Sequence, residues 1–231
     1  MKAPLLSIQI GLPQTVDADK PWTTGFFKQA VTEPLWLGTV NLDGDGQGDL
    51  VHHGGPHKAV CVYPAAHYPF WRERLGLDEL TAGGFGENFT VGELTESDVC
   101  IGDVWAVGQA QVQVSQPRQP CWKLARRWDI KDLALQVQQT SRTGWYLRVL
   151  VEGSVQQGMA MTLVERKHPH WTIAAANWLM HHDRHNLRDA ALLEAVSELS
   201  PSWKKTLSNR AEKGLQPDEP KRLQGGSGLS E

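Results

Sequence analysis

The sequence is short of paired cysteines, of basic excess and of long apolar runs, and each shortage removes a class of protein. Its three cysteines, Cys61, Cys100 and Cys121, lie far apart and form no Cys-x-x-Cys pair. That disfavours a disulfide scaffold and a structural zinc knuckle, and points to reduced thiols in a cytoplasmic protein. The formal net charge is -3 with 21% charged residues, so the broad basic footprint of a nucleic-acid binder is missing. The apolar run at residues 5–10 is too short to span a bilayer and is interrupted by Gln9. It also lacks a small-residue cleavage site, so neither a membrane protein nor a signal peptide is expected.

Tryptophan and glycine are plentiful. The 10 tryptophans in 231 residues read mostly as core and interdomain packing. Up to about residue 165, glycines separate short strand-like runs. Ala110, Val112 and Val114 alternate with Gln109, Gln111 and Gln113, the period of a half-buried strand. Residues 98–101 and 104–107 flank Gly102-Asp103, a hairpin signal, while 58–63 and 161–164 read as buried strands. Many short strands with glycine punctuation suggest a barrel or sandwich with mixed pairing. Two helices interrupt them: one from Pro64 to Gly76 with a kink at Pro69, and one after Asp129, with Asp132 in its first turn, to about Thr140. Past Glu165 the pattern turns helical at about 172–182, 187–198 and 201–213. The last has Ser200 as cap, Pro201 at its first position and Gly214 just beyond its end. From Pro217 onward, with Gly225-Gly226-Ser227-Gly228, the chain reads as a disordered tail. The expected division is 1–165, 166–215 and 216–231.

Several segments carry chemistry. Asp43-Gly44-Asp45-Gly46-Gln47-Gly48-Asp49 starts like a calcium loop, but its twelfth position is Gly54 instead of a bidentate glutamate. In His53-Gly54-Gly55-Pro56-His57-Lys58, two glycines beside histidine and lysine suit backbone N–H contacts to an anion such as phosphate; a plain turn into the next strand is the equal alternative. Asn88, after Phe85-Gly86-Glu87, either hydrogen-bonds a heterocycle edge or holds its own loop. Cys121 is the sharpest candidate. Pro117 and Pro120 stiffen its loop, and Arg118, Lys123, Arg126 and Arg127 are the cations expected to lower its thiol pKa for ligation or nucleophilic attack. Cys61 and Cys100 read as small buried residues. His181 and His185 have helical i, i+4 spacing, but no glutamate completes a zincin motif, so a solvated helix end is expected.

Four pieces taken together resemble the MOSC superfamily, and most closely its YiiM-like branch, the 6-N-hydroxylaminopurine resistance proteins. They are Thr24-Gly25-Phe26-Phe27-Lys28; Gly44-Asp45-Gly46-Gln47 running into His53-Gly54-Gly55-Pro56 and Lys58-Ala59-Val60; Phe85-Gly86-Glu87-Asn88; and residues 113–121 ending Pro117-Arg118-Gln119-Pro120-Cys121. The likeness extends through Thr143-Gly144-Trp145-Tyr146 and the C-terminal helices. It implies a mostly β (α+β) fold, a MOSC-type β-barrel with short helices plus a small C-terminal three-helix domain. It implies that Cys121 is catalytic and coordinates the molybdenum of a molybdopterin cofactor, which Lys28, His53, Gly54, Gly55, Lys58, Asn88 and Arg118 help to hold. The implied activity is reduction of small N-hydroxylated compounds, such as 6-N-hydroxylaminopurine, to amines. The alternative is a molybdenum-cofactor carrier, or a sulfur-transfer accessory with a persulfide on Cys121. There is no four-cysteine spacing for an iron–sulfur cluster and no nucleotide fingerprint. A separate flavin-containing or iron–sulfur electron donor is therefore expected, and a homodimer is left open.

Overall fold

The computed structural model describes residues 1–17, 21–49, 53–214 and 219–224. In chain order its first elements are β1 (Lys2–Ile10), β2 (Gln14–Val16), β3 (Trp22–Thr24), β4 (Gln29–Val31), β5 (Leu35–Leu37), β6 (Val60–Pro64) and α1 (Tyr68–Leu75). Then come β7 (Phe89–Val91), β8 (Val104–Val107), β9 (Ala110–Pro117), α2 (Trp122–Trp128), α3 (Leu133–Thr140), β10 (Trp145–Val151), β11 (Gly153–Val155) and β12 (Ala160–Glu165). The chain continues with α4 (Ile173–His181), α5 (Leu187–Glu194), α6 (Pro201–Lys213) and α7 (Glu219–Gln224).

Seven strands close a barrel in the order β12-β8-β9-β10-β6-β7-β1, with β1 returning to β12 and β4 attached to β1. Closure leaves those strands without open edges. Pairing is mixed, because β6 and β7 run parallel with Val62 opposite Phe89 while the other pairs are antiparallel. The interior is filled by fully buried Leu5, Ile8, Val62, Phe89, Val112 and Leu147, each stabilising the fold by roughly 1.5–3 kcal/mol on transfer from water. A parallel pair needs a long crossover. Here residues 65–88 supply it, and their aromatic side chains build a second cluster outside the barrel against α2 and α3. Tyr63 and Phe85 stack at 4.3 Å within it.

Three local expectations are corrected. The hairpin joins β8 to β9 at Gly108-Gln109; residues 98–101 form no strand, and Asp103 instead accepts from the Cys100 N–H and pairs with Arg166. Pro69 does not kink α1, because it lies in the first turn, where a proline removes no helical hydrogen bond. β9 is not half-buried: from Val112 to Pro117 every residue is buried, since the C-terminal helices cover its outer face. Contacts include Ser200 N–H to the Ser115 carbonyl (2.9 Å) and Ser202 to Gln116 (3.2 Å).

The helices α4, α5 and α6 are capped by Thr172, Asn186 and Ser200, whose side chains accept from the third residue onward. Their apolar faces share one continuous core with the barrel. Residues 219–224 form a helix, in which Glu219 and Arg222 find partners on α3, on α4 and in the loops at Pro120 and Arg184. Pro217 and Gly225-Gly226-Ser227-Gly228 lie outside the described residues. Among the described residues no helix is long and apolar enough to cross a membrane.

Candidate functional site

Cys121 ends the stiff Pro117-to-Pro120 stretch and occupies the N-cap position of α2, a helix the sequence reading missed. It is 8% exposed and opens onto a cavity whose space, open mouth included, is about 610 Å³. Lys28, His53, Lys58, Asn88, Arg118 and Cys121, separated by up to 93 positions in sequence, all line this cavity. Gly54 and Gly55 are not in its wall. Gly55, at φ 89°, shapes the turn that presents His53 and Lys58. Val51 and His52, from the same loop, lie outside the described residues.

The walls come together through close backbone approaches. A Cβ on Gly25 would sit 2.3 Å from the Gly46 carbonyl oxygen, so glycine is what lets the loop at 24–26 touch the loop at 44–48. Behind them, buried Asp45 pairs with Lys28 and accepts from the Gly11 N–H at 2.9 Å. Asn88 donates to Asp45 (2.8 Å) and to the Gln9 carbonyl (3.2 Å), and accepts from the Cys61 N–H (3.1 Å). Both amide hydrogens are thus committed to the protein, so Asn88 holds its own loop, and it also lines the cavity. Glu87, fully buried, accepts from the N–H groups of Gly83 and Phe85 and from Thr90, which fixes the loop before β7.

The cavity is cationic. Lys28, Lys58, Arg118 and Lys123 line it, and among the described residues no carboxylate does. Arg118 is 6% exposed, its guanidinium lies 5.8 Å from the Phe26 ring, and its Nη1 is buried without a hydrogen-bond partner. Leaving such a group unsatisfied is costly. His53 Nε2 lies 3.6 Å from Cys121 Sγ. Burial first, then the charge of Lys123, brings the His53 pKa down to about 4, so the ring is neutral at pH 7. Burial also lowers the Lys58 pKa, while Asp49 opposes the shift.

The expectation that cations lower the Cys121 pKa is reversed in balance. Burial pushes the thiol up, outweighing the Lys123 backbone N–H and the charges of Arg118, Lys123 and Arg222 that favour the thiolate. Arg126 and Arg127 are occupied elsewhere, stacked at 4.8 Å on Trp122 and 4.1 Å on Phe27. Cys61, Lys123 and Tyr146 also line the cavity and were not singled out as site residues. Burial raises the Cys61 thiol to about 11 and the Tyr146 phenol well beyond its ordinary value. His181 is not at a solvated helix end: it is buried and bonded to Glu219, and among the described residues no group of three or more metal-binding side chains assembles.

A barrel of mixed pairing with a cysteine on a cationic, enclosed wall defines a MOSC-type architecture, and comparison with known proteins agrees. The chain matches the MOSC domain family over residues 49–162 and the YiiM-like, 3-alpha helix domain over 171–214. YflK of Bacillus subtilis, an uncharacterized protein, is 46% identical over 91% of this chain and 96% of its own. YiiM of Escherichia coli is 37% identical over 95% and 98% respectively. A crystal structure of YiiM from Escherichia coli superposes with a TM-score of 0.82 at 32% identity, covering 97% of this chain and all of that one. A Gibberella moniliformis protein named "Reductase" is 33% identical over 65% of this chain, which is 27% of its own length. The chain belongs to the MOSC-domain proteins, and within them to the YiiM-like family with its three-helix domain.

Proposed function

We propose that this chain is a molybdenum-cofactor-dependent reductase that converts small N-hydroxylated compounds to amines. The observation that carries the reading is the cavity wall itself. Two thiols, Cys121 and Cys61, and four cationic side chains face a space that no described carboxylate enters, and the Arg118 Nη1 within that wall lacks a partner. An anionic group with a metal that accepts sulfur matches this wall of cations and thiols and would give the Arg118 Nη1 its acceptor. When bound, molybdopterin would contribute the two-electron chemistry that takes the hydroxyl oxygen from the substrate.

The chain's own residues do the rest. Cys121 offers Sγ as ligand, and His53 Nε2 is placed to take the thiol proton as that bond forms. Arg118, Lys58 and Lys123 balance phosphate and pterin charge, with Lys28 held in place by Asp45. His53 is neutral before that transfer, so in the empty cavity the field is set by the fixed cations. Burial of the cavity keeps water from competing for the reacting centre.

Electrons must come from elsewhere. The fungal reductase relative devotes 27% of its length to the segment similar to this chain. The donor this reading requires is a separate flavin-containing or iron–sulfur protein. A sulfur-transfer role for Cys121 is the second reading; the burial that raises its thiol acts on ligation and on nucleophilic attack alike.

The test is to express the chain in cells that make molybdenum cofactor and measure molybdenum by mass spectrometry beside Cys121→Ser. Near-stoichiometric metal that falls at least tenfold or so in the variant, with reduction of an N-hydroxylated purine by the loaded protein, is the expected result. Wild-type protein without metal or pterin would overturn the proposal, and a persulfide on Cys121 would establish the sulfur-transfer reading instead.

A further inference from the structure

The helix α7 lies beyond both family matches, which end at residue 214, yet it reaches the candidate site. Its first residue, Glu219, is bound to the helical domain: it accepts from His181 Nδ1 at 3.2 Å and from Arg184 Nη2 at 2.7 Å. Glu219 also accepts from Gln138 of α3 at 3.1 Å. One turn on, Arg222 extends its guanidinium toward the barrel side. Nη1 donates to the carbonyl of Pro120, the residue before Cys121, and Nη2 donates to Gln138 Oε1. The Arg222 side chain is largely buried in doing so.

Pro120 precedes the N-cap of α2, so its carbonyl takes no part in that helix's hydrogen bonding. Arg222 supplies its donor. A guanidinium can hold two acceptors on separate elements at once, because its N–H groups form a rigid planar fork; an ammonium on a flexible stem cannot hold both with the same geometry. We infer that Arg222 is a positioning residue for Cys121: by tying Pro120 to Gln138 it fixes the loop that aims Sγ into the cavity, so the C-terminal helix completes the cofactor site. The inference rests on the cofactor-site reading above for its purpose, but not for its test.

The test uses full-length protein with Arg222→Gln, Arg222→Lys and, as a control, Glu219→Gln, which loosens the far end of α7 while keeping Arg222. In protein from cells unable to make the cofactor, iodoacetamide labelling of each cysteine is followed by peptide mass spectrometry. Arg222→Gln should label Cys121 roughly tenfold faster when rates are compared at equal thiolate fraction, since the lost charge also favoured the thiolate; tenfold is the factor expected from losing one charge-assisted bond. Cys100, buried against the Pro169 carbonyl, should be unchanged, and Arg222→Lys should fall with Arg222→Gln. The Glu219→Gln control should accelerate Cys121 less. In protein from cofactor-making cells, Arg222→Gln should also lose molybdenum faster during gel filtration. A Cys121 rate within about twofold of wild type in Arg222→Gln, an equal acceleration at Cys100, or wild-type behaviour in Arg222→Lys would each overturn the inference. If wild type carries no molybdenum, the functional proposal fails while the labelling rates still decide the role of Arg222.

Discussion

Arg118 places its guanidinium 5.8 Å from the ring of Phe26 with Nη1 buried and unpartnered. A buried guanidinium with one N–H group unsatisfied costs the cofactor-free fold stability, and replacing it with an apolar residue of similar length removes that cost. Arg118→Met should therefore make the cofactor-free protein more stable, by about 1–2 kcal/mol, while molybdenum and pterin content fall about tenfold or more. Urea denaturation and metal analysis on the same preparations check both halves. A variant that is less stable and still fully loaded would mean that Arg118 is structural.

Gly25 offers a purely geometric prediction. Its absent Cβ would lie 2.3 Å from the Gly46 carbonyl oxygen, and both groups are backbone, so neither can swing aside. Gly25→Ala must push the two loops apart, at a cost of about 1–3 kcal/mol. Lys28 and Gln47 line the cavity from just beyond this contact, so cofactor retention should fall with stability. Thermal melts of cofactor-free protein and molybdenum content of loaded protein are the measurements.

Much of this site was legible in the sequence, for reasons that differ by residue. Cys121 was readable because two prolines and a cluster of cations mark a stiff, charged loop even before folding. Glycine spacing revealed the loops at 44–48 and 53–55 that the barrel brings beside it. Cys61 reads as a small buried residue and is one, but its apolar neighbours Val60 and Val62 give no sign that it also lines the cavity, beside its β10 partner Tyr146. The helix α2 was hidden by its own arginines, which no hydrophobic stripe announces and which the fold secures by stacking on Trp122 and Phe27. Burial outweighing charge at Cys121 depends on depth, which local sequence does not encode. The short helix α7 has no strong local signal and exists because Glu219 and Arg222 meet partners far away in the chain.

Asp45 couples fold to site more tightly than any residue of the cavity wall. Its carboxylate is fully buried, paired with Lys28 and bonded to Asn88 and Gly11. Removing one member of a buried ion pair leaves the other charged and unsatisfied, at about 3–5 kcal/mol. Asp45→Ala should lose that much stability, which corresponds to a fall in melting temperature of roughly 10 °C for a chain of this size. Asp45→Asn keeps an acceptor but not the charge, and should fall between. Equal stability of all three proteins in calorimetry would contradict the assignment.

The attachment of α7 should fail in acid. Glu219 is held down to about 2, first by its bond from His181 and then by Arg184, against an opposing effect of burial. A carboxylate depressed in the folded state contributes stability that is complete above its ordinary value of about 4.5 and lost as pH falls toward 2. His181 acts in the same direction. Burial lowers its pKa, so the folded form favours the neutral ring, and stability declines as pH drops below the ordinary histidine value of 6.5. The geometry agrees with a neutral ring: Nδ1 donates to Glu219, and Nε2 is buried with no partner to receive a second proton. Wild type should therefore be more stable than Glu219→Gln at pH 7, and the two curves should converge as pH approaches 2. Denaturation at a series of pH values checks the sign, and curves that converge on the alkaline side would refute the pairing.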